Sequence, residues 1–189
     1  GERFYQKGIL GPKTITGHCL HVDEEEIKRL AETGTTVVYC AESNMGNSVG
    51  LPRVVELYNA GVTLGMGTDG YTSDMLESYK VANCAVKYKY GHNAGWVENV
   101  TALTVNNPNI MGKYIDTTVG ILAKGAAADV IVIDYDPPTP LNENNVDGHL
   151  LFGANGLNVV IALLCWRTSE IFPKCIGKNW AYTYKEERK

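Results

Sequence analysis

Three short runs of β-branched and apolar residues, at 14–17, 36–40 and 62–66, alternate with stretches whose apolar positions follow helical spacing. Between the first two runs, Asp23 stands before Glu24-Glu25-Glu26, with a glutamate three residues on. That spacing predicts a capping box opening a helix over 24–33, and Gly34 closes it. The stretch 41–50 is polar and glycine-rich and reads as a loop. Pro52 suits a first helical turn, so a helix is expected over 53–60. Gly67-Thr68-Asp69-Gly70 ends the third run, and 75–90 reads as a fourth helix. Strands separated by such helices form βαβ units, which require a parallel sheet with right-handed crossovers. In sheets of this kind chemistry sits beyond the carboxyl ends of the strands. The polar groups placed there are His18, the pair Ser43-Asn44, and Asp69.

The pattern changes after Asn107-Pro108. Gly120 to Gly125 carries a turn-rich hairpin signal, and 130–134 is a strand followed by the proline-rich loop 137–140. Residues 150–152 and 158–162 read as a strand, a turn and a strand. The expectation is a small β module appended to the α/β part.

Composition narrows the classes. The chain has 189 residues, 44% hydrophobic and 20% charged, enough for one ordinary domain or part of a larger one. A net charge of −4 gives it no general attraction for nucleic acid or anionic membrane surfaces. The longest purely apolar run, 159–166, is eight residues, far short of the roughly 20 that a membrane helix needs. Five cysteines, with no CxxC and no secretory signal, fit reduced thiols and a cytoplasmic location better than a disulfide framework. The first ten residues read as the end of a helix, which suggests a fragment. Residues 166–189 carry +3 while the rest of the chain carries −7, and the composition of this tail also fits a sequence read out of frame. A homo-oligomer is compatible with everything above.

Taken singly, the polar groups are ambiguous. His18 and His21 form an HxxH pair, but alternation along a continuing strand would turn them to opposite faces. His18, at the strand end, is the better imidazole for a site. An aspartate flanked by glycines, as Asp69 is, can approach a metal or a water unhindered, and it can equally be a turn former. The glycines of 42–47 form neither GxGxxG nor a phosphate-cradling lysine loop. There is no GxSxG, and Cys19 beside His18 is placed poorly for a Cys–His pair.

Jointly, Gly17-His18-Cys19-Leu20-His21, Glu42-Ser43-Asn44-Met45, Gly65-Met66-Gly67-Thr68-Asp69-Gly70, and Gly120 to Asp129 before the strand at 130 resemble the amidohydrolase superfamily. The likeness is to its cytosine deaminase, guanine deaminase and chlorohydrolase branch, and within it to SsnA-type aminohydrolases. It covers roughly residues 1–161. The resemblance implies an α/β fold, the C-terminal part of a metal-dependent TIM (β/α)8 barrel (strands six to eight) plus part of a small β-sandwich domain. On that template 1–117 is partial barrel, 118–162 partial sandwich, and 163–189 an aberrant tail.

The resemblance further implies one divalent metal ion, zinc foremost with iron or manganese as alternatives, and a small aminated heterocycle as substrate. Asp69 would ligate the metal and shuttle a proton, His18 would hydrogen-bond the activated water or the substrate, and Asn44 would contact substrate. The family's first-strand HxH and strand-five HxxE are both absent and are both expected upstream of Gly1. Tyr39 and Ala41 stand at positions that are often His and Pro in relatives. The expected activity is hydrolysis of a non-peptide C–N bond, with the chain alone unstable and inactive. The alternatives are a chlorohydrolase or cyclic amidase of the same superfamily and a non-catalytic interaction module. HxH and HxxE in the sequence upstream separate the enzymatic readings from the last, and an Asp69 carboxylate turned into solvent or far from the His18 ring removes the hydrolase reading.

Overall fold

The computed structural model describes residues 1–163. A short helix α1 (Glu2–Gln6) precedes three strands, β1 (Ile15–Gly17), β2 (Thr36–Tyr39) and β3 (Leu64–Met66). They form a parallel sheet in the order β1-β2-β3, with Ile15 opposite Thr36 and Val37 opposite Leu64. The helix α2 (Glu24–Thr33) crosses from β1 to β2, and α4 (Val54–Asn59) crosses from β2 to β3. The expected capping box is formed: Glu26 N–H donates to Asp23 Oδ1 at 2.8 Å and Asp23 N–H donates to Glu26 Oε2 at 3.3 Å. Gly34 closes α2 at φ +67°, a conformation that costs glycine little.

The register puts alternate strand residues on opposite faces. Val37, Tyr39, Leu64 and Met66 face the helices and are buried with Ile27, Leu30, Val54 and Leu57. The long helix α5 (Met75–Tyr90) completes this layer through Tyr79, Ala82 and Val86. Asp74 caps α5 through Oδ1, while its Oδ2 accepts from Gly156 N–H at 2.7 Å and ties the helix to the following module. On the other face lie Val38, Gly65 and Gly67. A Cβ on Gly65 would stand 2.8 Å from Ile110 Cδ1 and 2.9 Å from Asn107 Oδ1, so glycine is what lets that segment close over the strand.

After α5 come α6 (Val97–Val100), a π-helical turn Thr101–Asn106, and α7 (Asn107–Gly112). Asn106 and Asn107 lie along the outer edge of β3. Asn107 Nδ2 donates to Met66 O at 2.9 Å and its Oδ1 accepts from Met66 N–H at 3.0 Å, while Asn106 Nδ2 donates to Leu64 O at 2.8 Å. Side-chain amides thus stand in for a neighbouring strand. Finally β4 (Val130–Ile133) pairs antiparallel with β5 (Val159–Leu163), and α8 (Val146–Phe152) lies between them in sequence.

Three expectations are corrected. The 41–50 loop begins as a helix, α3 (Ala41–Gly46), whose Asn44 N–H returns to Cys40 O at 2.9 Å. Residues 150–152 end α8 rather than forming a strand; a three-residue apolar run does not distinguish the two periods, and Leu151 is buried from a helix face. The 120–125 segment folds as turns without flanking strands, so β4 finds its partner in β5. The tail from 164 lies outside the described residues. Among those residues no helix is long and apolar enough to cross a membrane.

Candidate active site

The three strands deliver their polar groups to one rim. His18 follows β1 directly, with its N–H still donating to Val38 O at 2.8 Å. Beyond that bond the strand is over, because His18 and Cys19 both adopt left-handed backbone, at φ +64° and +48°. Strict alternation therefore does not govern where His18 and His21 point. Asp69, three residues past β3, is left-handed too, at φ +56°. Non-glycine residues adopt this region at a cost of about 1 kcal/mol or more, and such strain gathers at functional sites.

The side chains converge. His18 Nε2 lies 3.6 Å from Asp69 Oδ2, and the two side chains are 41% and 42% exposed, so the pair is open on one side. The helix α3 buttresses both. Ser43 Oγ donates to Asp69 Oδ2 at 2.7 Å, and Asn44 Oδ1 stands 2.7 Å from His18 Nδ1. Asn47 Nδ2 donates to Ser43 O at 3.0 Å, and Gly70 N–H donates to Asp69 Oδ1 at 2.7 Å. The expected trio of His18, Asn44 and Asp69 is thus brought together. Asn44 itself is only 1% exposed. Ser43 is a further side chain of this rim, bonded to Asp69, that spacing alone did not assign; the signal was its adjacency to Asn44 just past a strand end.

Hydrogen bonding from Ser43, then from the Gly70 amide, then the His18 charge, hold the Asp69 carboxyl below the ordinary aspartate value. Each of these favours the ionised form. Because the folded value is the lower one, the carboxylate's contribution to stability is full above the unfolded-chain pKa of about 3.9 and disappears as pH falls through the folded value. Ser43→Ala is expected to raise the Asp69 pKa toward the ordinary value. A carboxyl 13C titration by NMR measures this, and an unmoved midpoint would show that the hydroxyl does not hold the charge.

The thiols nearby are poor nucleophiles. Burial pushes Cys19 up, and its Sγ–H donates to Thr16 Oγ1 at 3.3 Å; burial and the Asp69 charge push Cys40 up. Among the described residues no three His, Cys, Asp or Glu side chains form a group that could hold a metal ion alone. The ionised, half-exposed Asp69 fits as one ligand, and further ligands would have to come from elsewhere.

The family model described as the amidohydrolase family matches residues 2–160. This chain belongs to the amidohydrolase family. It is 36% identical over 160 residues to a 5-methylthioadenosine/S-adenosylhomocysteine deaminase of Haloarcula marismortui, covering 80% of this chain and 36% of that one. An adenosine deaminase of Xanthomonas campestris, solved with bound zinc, superposes with a TM-score of 0.74 at 25% identity, over 87% of this chain and 38% of the other. The guanine deaminase of E. coli, at 22% identity, TM-score 0.71 and 85% and 40% coverage, shares the fold. The amidohydrolase chain therefore spans little more than a third of the length of these relatives. Their likeness indicates a fragment of a TIM-barrel-type domain.

Proposed function

We propose that, in a protein of its relatives' full length, this segment supplies one metal ligand and the proton-handling pair for hydrolytic removal of an amino group from a purine-like heterocycle. The observation that carries this is the 3.6 Å approach of His18 Nε2 to an Asp69 carboxylate held ionised at the strand rim. In this reading β1, β2 and β3 are barrel strands six, seven and eight. Residues 1–117 form the partial barrel, and 118–162 the partial β-sandwich, whose β4–β5 ribbon runs one residue further, to Leu163. The names of the matched relatives support an aminated purine as the substrate class.

Asp69 would hold a divalent ion, zinc foremost, whose chemistry when bound would be to acidify a water toward a pKa of about 7. The protein's own part is proton handling. As the water oxygen bonds to the ring carbon bearing the amino group, an Asp69 oxygen takes its proton. That proton then passes to the departing nitrogen, the water's second proton passes to the ring nitrogen that took up the C=N electron pair, and the C–N bond breaks with release of ammonia, leaving a ring carbonyl. His18, open to the same space, hydrogen-bonds the attacking oxygen or the substrate. Ser43 and Gly70 keep Asp69 oriented and ionised between turnovers.

The test is ammonia release by the zinc-loaded, relative-length protein from adenosine, 5-methylthioadenosine and guanine, beside chloride release from a chlorinated triazine. Ammonia from at least one aminopurine is expected. Chloride release alone, or no release from any of them by metal-loaded protein, would overturn the proposal.

A further inference from the structure

We propose that Asn44 is a positioning residue for His18, fixing which ring nitrogen carries the proton, rather than a residue that touches substrate. This deepens the reading above and concerns the same site. Asn44 is 1% exposed, so its carboxamide is out of reach of a ligand on the rim, and its shortest polar contact is Oδ1 at 2.7 Å from His18 Nδ1. A carboxamide oxygen can only accept, so Nδ1 is the protonated nitrogen of the neutral ring and Nε2 presents a lone pair. Nε2 in turn stands 3.6 Å from Asp69 Oδ2, beyond direct hydrogen-bond range. An acceptor nitrogen and an ionised oxygen then flank one opening, and the molecule that satisfies both is a donor of two protons, such as water or an amine.

The same short helix sets both partners. Ser43 orients Asp69 and its neighbour Asn44 orients His18, so α3 fixes the spacing of the pair from the side opposite the opening. The Asn44 Nδ2 atom is buried without a partner. Turning the amide over would place that nitrogen on His18, make Nδ1 the acceptor and give Nε2 the proton. The two orientations therefore predict opposite tautomers.

Long-range 1H–15N correlation of the 15N-histidine-labelled, metal-free protein of its relatives' full length at pH 9 reads the tautomer without turnover, with His18→Gln identifying the signal. The expected result is a His18 protonated at Nδ1 in the parent. Asn44→Asp, which can only accept, keeps that form, whereas Asn44→Leu admits the Nε2-protonated ring. A parent ring protonated at Nε2, or loss of the Nδ1 form in Asn44→Asp, overturns the proposal, and so does an Asn44→Leu ring that stays wholly Nδ1-protonated. The parent and the aspartate variant decide the matter if the leucine variant does not fold. Failure here leaves the ammonia assay untouched, since neither readout depends on the other.

Discussion

Asp69→Asn, in a protein of its relatives' full length, is expected to lower kcat/KM by between about 10² and 10⁴-fold and to lose bound metal with it. The substitution preserves shape but not function of either oxygen. Both carboxylate oxygens now accept, Oδ2 from Ser43 and Oδ1 from the Gly70 amide. An asparagine has a single acceptor oxygen, so its amide nitrogen would have to face a donor, and the charge proposed to bind a cation and receive a proton would be gone. Steady-state kinetics with elemental analysis of the purified variant measure both effects. Parental activity with metal retained would remove Asp69 from the chemistry.

Leu64→Ala is expected to cost a protein of its relatives' full length about 2–5 kcal/mol in urea unfolding. Leu64 is fully buried on β3, packed in the layer shared with Val37, Leu57 and Tyr79. Its strand leads directly to Asp69, so the residue that stabilises the core also fixes the height of the rim. The control is Leu122→Ala: Leu122 is 88% exposed, and its loss should change stability by less than about 0.5 kcal/mol. Equal losses for the two variants would mean that the β3 layer is not a cooperative core.

The elements with strong local signals were legible. Asp23 and Glu26 announce the start of α2, Gly34 its end, and the β-branched run at 36 marks the central strand. The candidate site was legible only as a set of strand ends, which is how His18, Asn44 and Asp69 come to be neighbours although 26 residues separate the first from the second and 25 the second from the third. What escaped is non-local. Ala41–Gly46 contains Ser, Asn and Gly, which have weak helix propensity, and Cys40 gives no side-chain cap. The helix forms because packing against α5 and the bond from Ser78 Oγ to Glu42 Oε2 at 3.2 Å hold it. The division of labour between Ser43 and Asn44 follows from that helix and could not be read from a loop. Likewise the left-handed backbone at His18 is a property of the rim, not of the residue alone.

The asparagine pair beside β3 bears on how a barrel could close. Leu64 and Met66 already have partners for two carbonyls and one amide along that edge, all from Asn106 and Asn107. A strand arriving there would exchange three carboxamide hydrogen bonds for three from its own backbone, leaving the number unchanged. Ring closure at this seam is then nearly neutral in hydrogen bonding, and its driving force has to come from the apolar surface that the incoming strand covers.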